Sequence, residues 1–347
     1  MQLRVSRSVT NATLTLISIV VTLILLEFVV RVFFPVFDPS GYIEFGHLPD
    51  GTPIGPFGRV LRQVKNTGDY DVEVRFNARG FRDDKSLTSA TGGDLFVVGD
   101  SFAFGWGVEA RDRFSDQLQM ILNRPVFNIA IAGTDFDGYD RLIRYAQASG
   151  AIVNKLIICV TMENDLHVYD MSQSLARSAS ASTTDELLPL SLWSLKAHLA
   201  EHSALFVMMT HVVHQTPGLR QFAVRLGLIR PNLEGIGDVQ GDANAALASS
   251  ARRLLHLVSG RDAIVLIIPS RRLWVGENRQ RAEAARLHTK FVNILRNSGL
   301  TVADMRERLE SAGNPLSYHF ANDGHWNKEG HRLAAEFLAG VVQAKGD

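Results

Sequence analysis

The stretch Leu95-Phe96-Val97-Val98-Gly99-Asp100-Ser101-Phe102 decides how this chain is read. Four apolar residues run without interruption and then break at a glycine, an acid and a serine. A short apolar run bounded by turn residues predicts a strand buried on both faces, as in a parallel sheet. The pattern recurs outward along the chain. Further strands are predicted at 126–130, 156–160, 263–268 and 301–304, with helices at 113–122, 139–149, 243–258, 278–297 and about 328–344. Apolar strands alternating with helices predict an α/β chain. The expected fold is a flavodoxin-like three-layer α/β/α sandwich on a parallel sheet of about five strands.

The amino-terminal part reads differently. Residues 12–26 carry no charge, and the apolar stretch continues to Phe34 past Glu27 and Arg31. About 23 residues at about 1.5 Å each reach roughly 34 Å, enough to cross a bilayer's hydrocarbon core as one transmembrane helix. Glu27 and Arg31 stand four apart, on one helical face, where they can pair near the interface. Arg4 and Arg7 precede the stretch, whereas Asp38, Glu44 and Asp50 come after it. That asymmetry puts the amino terminus in the cytoplasm and the bulk outside. A cleaved signal peptide would show small residues in an A-x-A-like pattern, and Glu27-Phe28-Val29-Val30-Arg31 has none. The helix is therefore read as an uncleaved single-pass anchor in the inner membrane, with the remainder periplasmic or extracellular.

The expected segments are a cytoplasmic tail (1–11), the anchor (12–36), a lead-in rich in Gly, Pro and Asp (37–90), and a domain (91–347). The lead-in closes with the turn Asn77-Ala78-Arg79-Gly80. A helical insertion interrupts the domain at about 166–242, with a Ser/Ala/Thr-rich stretch at 172–184 and apolar segments such as 204–213. Ten apolar residues are too few to span a membrane, so the insertion is read as packed helix, with a lid or membrane-proximal substrate surface as the sharper alternative.

Composition narrows the function classes. The 347 residues are 46% hydrophobic and 21% charged with formal net charge zero, ordinary for a globular chain and without the basic face that nucleic acid demands. The basic run Arg271, Arg272, Arg279, Arg281 and Arg286, with Glu277 and Glu283, reads as a solvated helix face. The single cysteine, Cys159, lies in an apolar run and reads as a small buried hydrophobe.

In an open parallel sheet, ligands sit beyond the carboxyl ends of the strands. Past the first three predicted strands stand Gly99-Asp100-Ser101-Phe102, then Ala132-Gly133-Thr134, then Glu163-Asn164-Asp165, and near the end of the chain lies Asp323-Gly324-His325-Trp326-Asn327. Singly, each candidate has an ordinary use: Ser101 as a helix cap, Gly133 as a turn, Asn164 bonding its own backbone, His325 as a surface histidine. Together they suit acyl transfer. A serine hydroxyl needs an adjacent base, which His325 can be, and the imidazole needs an acceptor on its other nitrogen, which Asp323 can be. The backbone amides of Ser101 and Gly133 and the carboxamide of Asn164 are candidate oxyanion donors.

These blocks resemble the GDSL/SGNH hydrolases. Gly-Asp-Ser-Phe at 99–102 is similar to the first block of that family, Asn128-Ile-Ala-Ile-Ala-Gly133 to the second, Asn164-Asp165 to the third, and Asp323 to His325 to the last. The resemblance implies catalytic Ser101, His325 and Asp323, with Ser101, Gly133 and Asn164 at the oxyanion hole. It covers about 94–345 apart from the insertion. Asn-x-x-Gly-Phe-Arg at 77–82 behind an apolar span also resembles membrane-anchored members. Two positions depart from the family pattern. Met162 stands where a glycine is usual, and the last block is Asp-x-His where Asp-x-x-His is common, with Asn322 at the older position. The shorter spacing is similar to the polysaccharide O-acetylation branch.

Other motifs carry less. Gly105-Trp-Gly107-Val-Glu-Ala110 matches a dinucleotide pattern but starts too far past its strand, and His211 and His214 have no third ligand. No cofactor or metal is expected. The leading expectation is a serine esterase deacetylating an envelope or exported carbohydrate. Its substrate would be an acylated carbohydrate or another ester, lipid esters included, and polysaccharide-synthesis proteins are candidate partners. An O-acyltransferase with the same residues is the near rival, and a non-catalytic glycan-binding or assembly protein the distant one. Amino-terminal sequencing of the mature protein is expected to start ahead of the apolar stretch; a start near residue 35 would overturn the uncleaved anchor.

Overall fold

The computed structural model describes residues 7–39, 42–65, 67–169, 202–226 and 242–346, with 195, 198–200 and 228. In chain order the elements begin with α1 (Arg7–Phe33), β1 (Gly46–His47), β2 (Pro53–Ile54), β3 (Val60–Val64), β4 (Asp71–Arg75), β5 (Leu95–Val98), α2 (Ser101–Phe104), α3 (Phe114–Leu122), β6 (Val126–Asn128), α4 (Phe136–Ala148) and β7 (Lys155–Thr161). They continue with α5 (Ala204–Gln215), α6 (Pro217–Arg225), α7 (Ala243–Val258), β8 (Asp262–Ile268), α8 (Asn278–Asn297), β9 (Thr301–Asp304), α9 (Met305–Ser311) and α10 (Lys328–Gly346). Residues 172–184 of the expected insertion lie outside the described residues.

The chain divides into two units. One joins Met1–Tyr42, Asn66–Gly68 and Thr184–Ile229; the other joins Ile43–Lys65, Asp69–Thr183 and Arg230–Asp347. In the first, α1 over Thr13–Phe33 is apolar, exposed along nearly all its length, and long enough to cross a membrane.

The second unit is the α/β sandwich. Its sheet runs β6-β5-β7-β8-β9, and every pairing is parallel. The strands are apolar because both faces are covered. Toward one face point Phe96, Val98, Ile158, Val160, Val265 and Ile267, packed on Tyr139 and Leu142 of α4, Leu254 of α7 and Phe291 of α8. The alternate residues Val97, Ile157, Cys159, Ile264 and Leu266 meet Phe114 and Leu118 of α3, Met305 of α9 and Leu338 of α10. Cys159 is fully buried, and burial pushes its thiol well up, so it is a core residue without nucleophilic character. Because β5 lies between β6 and β7, the strand order reverses beside it, and the switch-point crevice opens at the carboxyl ends of these three strands.

One expectation is corrected. Arg271 and Arg272 are not part of a solvated helix face: they occupy a 3-10 turn, Arg271–Leu273, directly after β8, and α8 starts at Asn278. Gly276 and the extended Glu277 separate the two, and the Glu277 side chain caps α8 in a capping box with Gln280.

From Ile43 on, apart from Asn66–Gly68, the lead-in belongs to this unit. Val72, Val74 and Phe76 bury on the α3/α10 face. The Asn77 side chain accepts from the amides of Arg79 (2.9 Å) and Phe81 (3.1 Å), which folds the 77–82 motif into a turn and drives Phe81 into the core. Arg82 then lies buried with its guanidinium donating to the carbonyls of Gly105 (2.6 Å), Val108 (2.7 Å) and Phe104 (3.2 Å). Those carbonyls belong to the end of α2 and the loop beyond it, where a helix leaves acceptors unsatisfied. The clamp is itself held, since Arg113 donates to the Arg82 carbonyl (2.6 Å) and pairs with Asp116 (2.5 Å). Arg82→Met strands buried carbonyls, at about 1–3 kcal/mol each, so a loss of about 3 kcal/mol is expected. An unchanged unfolding midpoint for the detergent-solubilised variant would show that α2 does not need the clamp.

Candidate active site

Each candidate side chain owes its place to a local turn at a strand end. At the end of β5, Asp100 caps α2 by accepting from the Phe102 amide (3.0 Å), which puts Ser101 on the first helical residue, facing the crevice. The other Asp100 oxygen accepts from Asn164 Nδ2 (3.0 Å), tying the end of β5 to the end of β7. Asp100 is fully buried. Burial raises its carboxyl, against the hydrogen bonds from Asn164 and Phe102.

Asn164 stands on the turn after β7, where the amides of Asn164 and Asp165 both reach the Thr161 carbonyl (3.0 and 2.9 Å). Asp165 closes that turn from inside, accepting from the Thr161 amide (2.8 Å) and the Tyr139 hydroxyl (3.0 Å). Burial, with the nearby Asp100, pushes the Asp165 carboxyl well up. In Asn164-Asp165, then, the acid anchors the turn and the carboxamide is held against Asp100. Met162 is buried in the core, and its amide bonds to Ile268 (3.0 Å), continuing the β7–β8 pairing.

Beyond β6, pairing continues through Ile129 and Ile131, whose amides reach the carbonyls of Val97 (2.9 Å) and Gly99 (3.2 Å). Asn128 turns inward and donates to the Ala103 carbonyl (2.8 Å), holding α2 from below. Gly133 comes next with φ +77°, while a Cβ there would meet nothing within 4 Å. The backbone conformation, not crowding, selects glycine.

The last block supplies the imidazole. His325 Nδ1 donates to Asp323 Oδ1, in a very short contact, and His325 Nε2 faces Ser101 Oγ at 2.7 Å. The same Asp323 oxygen accepts the His325 amide (3.0 Å), so an Asx turn delivers both bonds across a two-residue spacing. Asn322 is engaged elsewhere, its amide donating to Asp69 (3.1 Å). Two other histidines bond elsewhere: His319 Nδ1 lies 3.1 Å from the Pro315 carbonyl, and His331 Nδ1 accepts from the Phe114 amide (3.3 Å). His319 and His331 are buried, and burial lowers them to about 4 and about 3, so both are neutral near pH 7. Phe102 and Trp106 wall the imidazole at ring distances of 5.0 and 5.7 Å.

Several contributors are invisible in the motif pattern. Asp323 Oδ2 accepts from Lys65 Nζ (2.8 Å) and the Tyr70 hydroxyl (3.3 Å), and Tyr70 in turn accepts from Trp106 Nε1 (2.7 Å). Burial alone would raise Asp323. The His325 hydrogen bond and charge, then Lys65, outweigh it and hold the carboxyl well below the usual range. A carboxyl so depressed adds stability above the ordinary carboxylate range and loses it only as pH falls through the depressed value. On the opposite side, Glu163 accepts from the Arg271 amide (2.7 Å) and guanidinium (2.8 Å). That guanidinium packs on Gly324, where any Cβ would come within 2.3 Å of it. Glu163 beside Asn164 is the one available sequence clue to this pair.

A serine, an imidazole and a carboxylate in hydrogen-bonded series at a switch point can run nucleophilic acyl chemistry. Together with the doubly wound sheet, the arrangement is similar to that of SGNH-type hydrolase domains. Residues 237–347, about a third of the chain, match the family model described as the SGNH hydrolase-like domain of acetyltransferase AlgX. Among curated proteins none matches. Similar solved structures include a lipolytic G-D-S-L protein from Veillonella parvula DSM 2008, 12% identical over 72% of this chain and 98% of that one, TM-score 0.41. Another is a putative lipolytic G-D-S-L protein from Desulfitobacterium hafniense DCB-2, 13% identical over 72% and 98%, TM-score 0.34. A third is a catalytic mutant of an acetylxylan esterase from Geobacillus stearothermophilus, 11% identical over 74% and 96%, TM-score 0.38.

Lys65→Met removes one charged hydrogen bond from Asp323, and Lys65 is partly exposed. A bond of that kind at the low end, about 1.5 kcal/mol, corresponds to about a tenfold loss of rate on a small activated acetyl ester. Asp323→Asn should lose far more; equal losses would mean that Lys65 does more than position the carboxylate.

Proposed function

We propose that the chain is a membrane-tethered serine acyl-ester enzyme working on acylated, exported carbohydrate, with Ser101 as nucleophile, His325 as base and Asp323 orienting the imidazole. The observation that carries this reading is the Ser101–His325–Asp323 series, with His325 Nε2 2.7 Å from Ser101 Oγ. In the proposed first step, Ser101 Oγ bonds to the ester carbonyl carbon as its proton passes to His325 Nε2. The amides of Ser101 and Gly133 and Asn164 Nδ2 stabilise the oxyanion. Collapse breaks the ester C–O bond, the leaving oxygen takes the proton back, and an acyl-Ser101 ester remains. In the second half an acceptor hydroxyl repeats the sequence in reverse.

Water as acceptor makes the protein an esterase, and a sugar hydroxyl makes it an O-acyltransferase. The match of residues 237–347 to a domain named for an acetyltransferase favours the sugar hydroxyl, with acetyl as the acyl group. In this reading α1 is the uncleaved anchor, and the sandwich works outside the cytoplasm, where exported glycan is met.

The full chain in detergent is expected to hydrolyse a small activated acetyl ester slowly. Ser101→Ala should lower that rate by at least about a thousandfold, because a triad acts as a unit. Asn164→Ala should cost about a hundredfold to a thousandfold, as for one oxyanion donor. An acetyl-Ser101 that persists until a glycan is added marks the transferase, and one that hydrolyses at once marks the esterase. A wild-type chain that neither turns over nor reacts with a serine-directed phosphonate would overturn both and leave glycan binding.

A further inference from the structure

The unit built on α1 contains a contact that a free-standing anchor would not need. Glu27 lies on α1 six residues before its end at Phe33, about 9 Å along the axis. Its carboxylate caps α5: Oε2 accepts from Ser203 Oγ (2.8 Å) and the Leu205 amide (3.0 Å), and Oε1 from the Ala204 amide (2.9 Å). Arg31 closes the cluster, donating to Glu27 (2.8 Å), to Asp38 (2.5 Å) and to the His202 carbonyl (2.6 Å). Higher up, Phe37 meets the His211 ring at 5.3 Å, so α5 climbs beside the emerging end of α1.

A carboxylate at that depth in hydrocarbon is costly unless its acceptors are filled, and the free amides of a helix start are costly there for the same reason. Glu27 and the first turn of α5 satisfy one another. The outward surface of the two helices is apolar at helical spacing. On α5, Met209 and Val212 are exposed; on α6, Leu219 and Phe222 are exposed, and Leu226 comes one turn on. Arg220, Gln221 and Arg225 take the other side of α6. An apolar stripe with a basic reverse suits a helix lying in a membrane interface.

We propose that α5 and α6 are seated in the membrane. The first turn of α5 enters the leaflet beside α1, sealed by Glu27, and Met209, Val212, Leu219, Phe222 and Leu226 contact lipid chains. The occupant of this face is the bilayer because the face is continuous with the span: Ser203–Leu205 sit at the level of Glu27, inside it. The inference rests on α1 being embedded and extends that reading to the insertion.

The test uses the full chain, with Cys159→Ala, in vesicles of phosphatidylethanolamine and phosphatidylglycerol. Nitroxide labels are placed singly at M209C, F222C, L23C on the anchor and M120C on the sandwich. Collisions with oxygen, which partitions into lipid, are compared with those of a water-soluble nickel chelate. Met209 and Phe222 positions should follow Leu23, with oxygen exceeding nickel, and oppose Met120. If Leu23 also reads as water-exposed, the anchor itself fails. If Leu23 reads as lipid but Met209 and Phe222 follow Met120, only this proposal fails. Low collision with both reagents would mean burial against a second copy or another protein and would overturn it too. In Glu27→Leu, which keeps α1 apolar, the Met209 signal should shift toward nickel while Leu23 holds. An unshifted Met209 would remove the sealing role given to Glu27.

Discussion

Asp323 receives four donors from two stretches of chain, and the geometry around Ser101 hangs on that carboxylate. His325 supplies its amide and its Nδ1 to one oxygen; Lys65 and Tyr70 share the other. Burying a carboxylate costs several kcal/mol unless partners fill its lone pairs, and here each oxygen takes two. The imidazole can point at Ser101 only while this arrangement persists. Its far side is built by the β3–β4 hairpin, from Lys65 at the hairpin's turn and Tyr70 at its return, with Trp106 behind Tyr70. The lead-in is therefore part of the site's frame, although it adds no strand to the main sheet.

The sheet was legible because its strands are buried on both faces and so lack the polar alternation that makes short runs ambiguous. Leu95–Val98 and the runs inside β7 and β8 needed no other signal. The candidate triad was legible because each member sits just past a strand or opens a helix, where backbone geometry demands a recognisable residue. Lys65, Tyr70 and Arg271 were not. They reach the site from hairpin and turn positions whose local sequence serves the turn, and their partners lie far away along the chain, 258 residues in the case of Lys65 and Asp323. The place of Arg271 is hidden for a related reason: arginines on both sides of Gly276 look continuous in sequence, while the chain leaves a 3-10 turn before it caps the next helix. The shortened Asp-x-His spacing makes sense only in three dimensions, where one oxygen of Asp323 serves the backbone and the ring together.

The switch point is also held by acids that are buried from solvent. Asp100 connects the turn carrying Ser101 to Asn164, and Asp165 locks the turn on which Asn164 stands. A hydroxyl and a carboxamide carried by different strands thus share one buried scaffold. A disturbance at either strand end would reach both.

The pairing of Lys65 with Asp323 alters the electrical balance of the site. A serine triad without such a lysine rests with the full negative charge of its aspartate. Here the Lys65 ammonium, 2.8 Å from the Asp323 carboxylate, offsets that charge. An anionic group brought beside Ser101 would then meet a carboxylate whose charge is already offset by a neighbouring cation.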